Sequence, residues 1–255
     1  GADPDAVYSD SVGASESLGK PSGVGGSAFV GKLAASADDD GEPSTARRFR
    51  LEGMLRQREG ELARGIRELG WRAAKPAQVR YQEGDQTSLL FPEWPTVPGQ
   101  AIAATVVAVN DRVVAFAQDD LRASGTNING TQIQMIIDQF GEDYDEVVRL
   151  FGTPSDVDGD GKIAFLFTHL VDDVGLGGFY NAESVLPVEA GGGGDLTDLV
   201  FLSPTQGLST YRSLLVHEFQ HLVSFNQHVL VRSGEAEVSW LNEGLSHLSE
   251  DLVDD

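Results

Sequence analysis

Residues 215 to 226, LVHEFQHLVSFN, place two histidines and a glutamate inside an otherwise apolar run. Four residues advance an α-helix by slightly more than one turn, so His217 and His221 project from one face. The residues expected on the opposite, core-facing side are apolar: Leu215, Phe219 and Leu222. Such a helix must be covered on its apolar side, and its two buried imidazoles need polar or ionic partners.

Two imidazoles on one face can bind a single metal ion, or they can be an ordinary hydrogen-bonded pair. Glu218 is adjacent to His217, too close to be an expected ligand of the same ion but well placed to hold a water molecule bound to it. A zinc hydrolase usually has three protein ligands and keeps the fourth position for water. A third ligand elsewhere in the chain therefore distinguishes a metal site from a histidine pair.

The stretch SWLNEGLSHLSED, residues 239 to 251, offers that ligand in Glu243, which follows His221 after 21 intervening residues. This gap is long enough to end one helix, turn, and begin a second helix that folds back on the first. The apolar face predicted for the second helix consists of Trp240, Leu241, Leu245 and Leu248. A carboxylate beside these residues needs a partner, and a cation shared with the two histidines would provide it. The alternative for Glu243 is a solvated helix charge.

The composition limits the ligands and the partners. The chain of 255 residues has no cysteine, so a metal must be bound through histidines and carboxylates. It has 40 acidic and 18 basic residues, and the resulting net charge of -22 argues against nucleic acid or an anionic membrane as a partner. No apolar run approaches the roughly 20 residues of a membrane span. Because the sequence begins without methionine, we expect a processed or trimmed product.

Changes in composition divide the chain into three predicted parts. Residues 1 to 43 are rich in Gly, Ser, Ala and Asp, and are expected to be a flexible leader. Residues 44 to 75 are expected to be a charged helix or linker, with helical spacing over 44 to 70 and, as an alternative, a role as part of a pro-segment. Residues 76 to 255 form the predicted catalytic domain.

The catalytic part mixes strand and helix signals, which indicates an α+β fold. Short β-rich runs at 79 to 82, 88 to 91, 101 to 109 and 112 to 118 predict a small sheet, with a hairpin at Asn110 and Asp111. Apolar residues every three or four positions predict a helix over 130 to 152. The further predictions are buried strands at 163 to 167 and 199 to 202, a Gly-rich loop at 175 to 198, and helices at about 209 to 226 and 236 to 251.

The segment SDVDGDGKI suggests a second ion. Asp156, Asp158 and Asp160 alternate before Gly161, as in a calcium loop with oxygen ligands at positions 1, 3 and 5 and glycine at position 6. The carbonyl of Lys162 would be a fourth donor. Position 12 is Phe167, which has no side-chain oxygen and lies in a predicted strand, so an EF-hand is not expected. The alternative to a calcium loop is an acidic turn.

Three stretches together resemble a known family. HEFQH followed by WLNEG resembles the zincin clan with glutamate as third ligand, which includes thermolysin-like proteases and some aminopeptidases. FGTPSDVDGDGKIAFLFT, LLVHEFQHLVSFNQ and WLNEGLSHLSED, in that order, resemble the hyicolysin-type secreted bacterial metallopeptidases over about residues 77 to 255. The resemblance implies a zincin-like fold, in which a small mixed sheet packs on an active-site helix and a following helix supplies the third zinc ligand. It also implies a secreted zinc endopeptidase acting on proteins or peptides, with His217, His221 and Glu243 as ligands and Glu218 as general base.

The sequence departs from thermolysin-like enzymes in two respects. Those enzymes have an aspartate four residues after the ligand glutamate, where this chain has His247; Glu250 and Asp251 are the nearest carboxylates that could orient a zinc-bound histidine. The sequence also ends 12 residues after Glu243, which suggests a catalytic domain truncated at its C-terminal subdomain. The candidates for stabilising an oxyanion are Tyr180, Tyr211, His228 and His247.

Two other functions use the same residues. A zinc aminopeptidase would share the ligands, although the sequence has no recognisable motif for binding a free N-terminus. A catalytically silent metal-binding adhesion module is the alternative outside the enzymes. It is disfavoured by the presence of Glu218, the residue that such a module could most easily lose.

Overall fold

The computed structural model describes residues 44 to 72, 79 to 121 and 128 to 253, which all lie within one compact unit. The expected leader at 1 to 43 lies outside the described residues, as do 73 to 78, 122 to 127, 254 and 255. The helices are α1 (Ser44–Leu69), α2 (Gly130–Phe151), α3 (Leu170–Val174), α4 (Leu208–Phe225) and α5 (Ser239–Val253). The strands are β1 (Gln86–Phe91), β2 (Gln100–Val109), β3 (Val113–Gln118), β4 (Ile163–Phe167), β5 (Gly178–Tyr180) and β6 (Leu199–Leu202). The described chain is therefore a mixed α+β structure.

The strands form one six-stranded mixed sheet in the order β1-β2-β3-β4-β6-β5. The pairs β1/β2, β2/β3 and β5/β6 are antiparallel, whereas β3/β4 and β4/β6 are parallel. The predicted hairpin joins β2 to β3, and the Asn110 side-chain oxygen accepts hydrogen bonds from the backbone of Arg112 and Val113. Each parallel pair is joined by a crossover, and the crossover from β3 to β4 contains α2.

The central strands β4 and β6 are apolar throughout because both faces of the sheet are covered. Phe165 packs in the cluster that contains α2 and α4, whereas its neighbours Ala164 and Leu166 pack in the cluster on the opposite face. Every residue of β4 and β6 is buried. A continuous apolar run is the pattern expected of strands buried on both faces.

Helix α2 supports α4 from within the core. Its first turn is closed by a capping box between Asn129 and Gln132. Phe140 of α2 lies edge-on to Phe165 of β4 and to Phe219 of α4, with ring centroids 5.1 Å and 5.3 Å apart. Phe219, Leu215 and Leu222 are buried in this core. The apolar anchor predicted for the histidine-bearing helix is therefore present, and it fixes α4 against the sheet.

Helix α1 packs against the body through apolar residues of its own. Leu62, Ala63 and Ile66 lie in the α2 and α4 cluster, and Leu51 lies in the cluster on the other face of the sheet. These four side chains are 1–3% exposed. The helix predicted over 44 to 70 is thus part of the hydrophobic core.

Three local predictions were wrong, the first being the loop predicted at 175 to 198, which contains the strand β5 because its backbone pairs with β6. Residues 79 to 82 are not a strand: the Asp85 carboxylate accepts a hydrogen bond from the backbone of Gln82 and stabilises a turn there instead. The buried face of α5 is also not the predicted apolar one, since Trp240 is 76% and Leu248 46% exposed. The buried residues of α5 are Asn242, Ser246, Ser249, Glu250 and Val253. This mostly polar face is turned inward because the imidazoles of α4 need hydrogen-bonding partners.

In the described residues we find no helix both long and apolar enough to cross a bilayer.

Candidate metal centre

Two helices bring three potential metal ligands together. His217 and His221 lie on α4, each 2% exposed, and Glu243 lies on α5. The two Nε2 atoms are 3.1 Å apart, and Glu243 Oε2 lies 3.4 Å from His217 Nε2 and 3.6 Å from His221 Nε2. The three residues predicted as ligands therefore present one donor atom each to a common point.

The spacing and chemistry of these atoms fit a zinc ion. Nitrogen ligands about 2.05 Å from a tetrahedral zinc are roughly 3.3 Å apart, close to the separations found here. Two imidazoles and a carboxylate are also a common ligand set for catalytic zinc. The second oxygen, Glu243 Oε1, is buried and has no hydrogen-bond partner among the described residues. A buried carboxylate in this state is stabilised by a cation.

The other nitrogen of each imidazole is held by a residue of α5. His217 Nδ1 lies 2.7 Å from Glu250 Oε1, and His221 Nδ1 lies 3.0 Å from Asn242 Oδ1. When Nδ1 donates to these oxygens, Nε2 has a free lone pair that points toward the other ligands. Glu250, rather than Asp251, is thus the carboxylate that orients a histidine in this structure.

The local electrostatics favour a positive charge at the ligands. Although burial lowers it, hydrogen bonds that His217 donates to Glu243 and Glu250 raise the pKa of His217 to about 10. Burial opposes ionisation of Glu250, but hydrogen bonds from His217 and His247 lower the pKa of Glu250 to about 2. The pKa of Glu243 is likewise held well below its usual range, against the effect of burial, by its contacts with the two α4 histidines. By contrast, burial and the nearby charge of Arg56 lower the pKa of His221 to about 3, so this imidazole is neutral and has a lone pair for a metal.

Glu218 is held beside the ligands by a backbone group. Its Oε2 accepts a hydrogen bond of 2.9 Å from the backbone N–H of Tyr180, the last residue of β5. Burial raises the pKa of Glu218 to about 7, although the nearby charges of His217 and Arg56 lower it. A carboxylate with a pKa near neutrality can both accept and return a proton at physiological pH.

A second group of potential ligands overlaps the first. His217, His247 and Glu250 also bring donor atoms together, but through His217 Nδ1 rather than Nε2. Glu250 Oε1 already lies 2.7 Å from His217 Nδ1 and 2.8 Å from His247 Nδ1, which are hydrogen-bond distances. This arrangement suits a carboxylate that orients two imidazoles better than one that shares a metal with them.

The four candidates for oxyanion stabilisation lie in different surroundings. Tyr211 donates its hydroxyl to the Ser203 carbonyl at 2.6 Å, and His228 Nε2 is paired with Glu237 at 3.3 Å. Tyr180 is 1% exposed, and its backbone N–H donates a hydrogen bond to Glu218 at the site. The ring of His247 lies 5.0 Å from that of His217 and is partly exposed. The structure therefore places His247 next to Glu250 on the Nδ1 side of His217, and it engages Tyr211 and His228 elsewhere.

Several residues at the centre were not anticipated from the sequence. They are Asn242, Ser246, the backbone of Tyr180, and Arg56 and Glu59 of α1. Asn242 and Ser246 are four residues apart on α5 and contact the same imidazole, that of His221. Their helical spacing, next to Glu243, was a signal that could have identified them.

The acidic segment forms a compact loop before β4. The carboxylates of Asp156, Asp158 and Asp160 each place an oxygen within 4.8 Å of the others. The Lys162 ammonium donates to the carbonyl of Asn110. Burial and the neighbouring Asp160 raise the pKa of Asp158 to about 7. Because Phe167 is buried in β4, the loop leads into a strand rather than into the second helix of an EF-hand.

We expect Glu250→Gln to lower zinc affinity by about tenfold, because a neutral amide orients His217 less strongly than a carboxylate does. Competition with a chromophoric zinc chelator measures this change. The matched control is Asp251→Asn, which alters an exposed carboxylate one residue away and should leave the affinity unchanged. An equal loss in both variants would show that the charge of α5, rather than the contact with His217, is responsible.

Comparison with known proteins gives one relevant similarity. No family model matches the chain. The chain is 30% identical over 141 residues to the neutral metalloprotease ShpI of Staphylococcus hyicus, an alignment that covers 49% of this chain and 32% of the relative. The aligned part therefore spans about a third of the length of that curated relative. The similarity supports a relationship to a metalloprotease, and the narrower assignment to hyicolysin-type enzymes stays a prediction.

Proposed function

We propose that the protein is a zinc-dependent endopeptidase. The observation that carries this proposal is the convergence of His217 Nε2, His221 Nε2 and Glu243 Oε2, with separations of 3.1 Å to 3.6 Å, beside the buried carboxylate of Glu218. The similarity to a metalloprotease supports it independently. We also propose that the protein acts outside the cell on proteins or peptides, since the family resemblance is to secreted enzymes.

Each residue of the centre has a separate role in the proposed amide hydrolysis. His217, His221 and Glu243 would hold the zinc ion, which supplies Lewis acidity that acidifies water and polarises a carbonyl group. Glu218 takes a proton from the attacking water and delivers it to the leaving amine, a role for which its buried carboxylate lies beside the ligands. Tyr180 keeps the Glu218 carboxylate in position through its backbone N–H. His247 contacts Glu250 on the Nδ1 side of His217, across that imidazole from the proposed zinc, so no oxyanion role is proposed for it.

Cleavage mapping tests the proposal against its alternatives. The zinc-loaded protein is incubated with denatured casein and with peptides of known sequence, and the products are identified by mass spectrometry. We expect internal cuts that stop when a chelator is added and resume when zinc is restored. Removal of single residues from the N-terminus would indicate an aminopeptidase, and absence of any cut would favour the silent binding module.

We further propose that Asp156, Asp158, Asp160 and the carbonyl of Lys162 hold a structural calcium ion. The clustering of the three carboxylates supports this, since calcium prefers oxygen ligands. Asp198 stabilises the loop from the protein interior. It is fully buried, and its carboxylate accepts a hydrogen bond of 3.0 Å from the backbone N–H of Val157.

Calcium at about 1 mM should therefore raise the melting temperature by roughly 3–5 °C, if the dissociation constant is about 0.1 mM. Differential scanning calorimetry of the chelator-treated protein, with zinc restored in both samples, measures this. Asp158→Asn should abolish the increase, and the exposed Asp120→Asn should retain it. Full recovery of the melting temperature with zinc alone would contradict a calcium site.

A further inference from the structure

Helix α1 contacts the metal centre through charged residues. Arg56 Nε lies 3.8 Å from Glu243 Oε1, and Glu59 Oε2 accepts a hydrogen bond of 3.2 Å from Asn242 Nδ2. Glu243 is the proposed third ligand, and Asn242 orients His221. A segment far away in sequence is thus placed directly beside the ligands.

The same helix is anchored on the other flank of the centre. Arg58 Nε lies 2.5 Å from Glu183 Oε1, and Arg58 Nη2 donates to the Gly191 carbonyl at 3.0 Å. Glu183 and Gly191 belong to the loop that follows β5, and β5 ends at Tyr180, whose N–H holds Glu218. Helix α1 therefore connects the α5 side of the metal centre to the side that positions the proposed general base.

With α1 in contact, the side chains of the candidate metal centre have little exposure to solvent. The side chains of Arg56 and Glu59 are only 2% and 3% exposed, although both are charged. In their presence His217 and His221 are each 2% exposed and Glu218 is 6% exposed. Such exposure is far too small for contact with a polypeptide backbone, so a protein substrate requires a change at this position.

The polar part of the α1 contact is incompletely satisfied. Four of its atoms are buried without a hydrogen bond in the described part of the chain, namely Arg56 Nε, Arg56 Nη1, Glu59 Oε1 and Glu243 Oε1. They are compensated only by ion pairs, with Arg56 Nη1 3.1 Å from Glu59 Oε1 and Arg56 Nε 3.8 Å from Glu243 Oε1. Ionic groups buried in this way destabilise the state that buries them. Release of this part of α1 would return its charges to water, although it would also expose Leu51 and Leu62, which flank the charged residues and are buried in the core.

The space beside α1 extends beyond the contact. A cavity of about 300 Å³ lies between α1 and the body, lined by Leu55 and Arg58 on one side and by Trp94, Asn181 and Glu183 on the other. Unfilled space thus adjoins α1 on the side of Arg58 and Glu183. The carboxylate and aromatic groups of this groove would suit a polypeptide with basic side chains, as the binding of Arg58 illustrates.

We propose that the groove beneath α1 is the substrate-binding groove and that α1 occupies it as an internal inhibitor, anchored by Arg56 beside Glu243 and by Arg58 on Glu183. This inference rests on the proposed endopeptidase function. The intact chain is then the inhibited form, and a cationic polypeptide segment is the kind of partner that the groove accepts after α1 is displaced.

The test uses the full chain and two readouts. In Arg56→Ala we expect the zinc-loaded protein to cleave a peptide substrate about tenfold faster, because a smaller fraction of molecules keeps α1 in the groove. Hydrogen exchange, followed by mass spectrometry, should show the amides of α1 exchanging about tenfold faster in the same variant. Arg64→Ala is the matched control: it removes an exposed arginine of α1 and should change neither readout.

A second variant and a ligand test the proposal even if Arg56→Ala does not fold. Glu183→Gln weakens the other anchor without altering α1, and it should raise both readouts in the same direction. A dipeptide hydroxamate, which binds zinc and fills the groove, should speed exchange in α1 of the unaltered protein. Unchanged exchange of α1 with the hydroxamate bound would overturn the proposal.

The possible failures are distinguishable. Slower cleavage in Arg56→Ala, with α1 released, would show that α1 contributes to catalysis rather than inhibiting it. Cleavage that is unchanged although α1 is released would also refute inhibition. No cleavage in any variant, with α1 released as expected and with zinc bound, would instead refute the endopeptidase assignment.

Discussion

Replacement of Glu218 by glutamine should reduce peptide hydrolysis by about 10³–10⁴-fold while leaving bound zinc unchanged. Glutamine preserves the size of the side chain, and its carbonyl oxygen can still accept the hydrogen bond from the Tyr180 N–H. It cannot take a proton from water or return one to the leaving amine. The loss should therefore fall on turnover, and it corresponds to roughly 4–5 kcal/mol in the barrier.

Initial rates with a fluorogenic peptide, together with zinc content by atomic emission, measure both parts of this prediction. The matched control is Glu142→Gln, which makes the same chemical change at an exposed position of α2. Persistent cleavage by Glu218→Gln at near-normal rate would assign the general base to another residue.

The convergence of the three potential ligands could be predicted largely from local sequence patterns, whereas their binding of a metal stays a prediction. The spacing of His217 and His221 fixes their common face once α4 is a helix, and the length of chain before Glu243 allows α5 to fold back. The sequence offers two carboxylates, Glu250 and Asp251, as partners for a histidine. The choice between them needed the orientation of α5, which the apolar residues of that helix indicated wrongly.

Contacts between distant segments could not be predicted in the same way. β5 has three residues within a Gly-rich loop, too few for a period, and it exists because its backbone pairs with β6. The order of strands in the sheet likewise depends on which crossovers pack together. In α1, Arg56 and Glu59 interrupt the buried side of the helix near Leu62 and Ile66, a departure from simple amphipathicity that was the available signal. The role of these two charged residues is apparent only from the packing of α5 against α1.

Replacement of Glu243 by alanine should lower zinc affinity by more than about 100-fold, which exceeds the effect expected when a residue that merely orients a ligand is lost. His221→Ala should have an effect of the same order, because each change removes one of three donor atoms that meet within 3.6 Å. Hydrolysis should fall with the occupancy of zinc. Affinity for zinc, measured by competition at fixed pH, separates this from loss of catalysis alone.

His247→Ala provides the decisive comparison, since His247 and Glu250 would be ligands if zinc occupied the overlapping group around His217 Nδ1. In the arrangement proposed here, zinc lies on the Nε2 side, so His247→Ala should bind zinc nearly as tightly as the unaltered protein. Its hydrolysis should also change little, because His247 contacts Glu250 on the side of His217 that faces away from the proposed zinc. Loss of zinc in His247→Ala, with zinc retained in Glu243→Ala, would place the ion on the other side of His217 and remove the role assigned to Glu218.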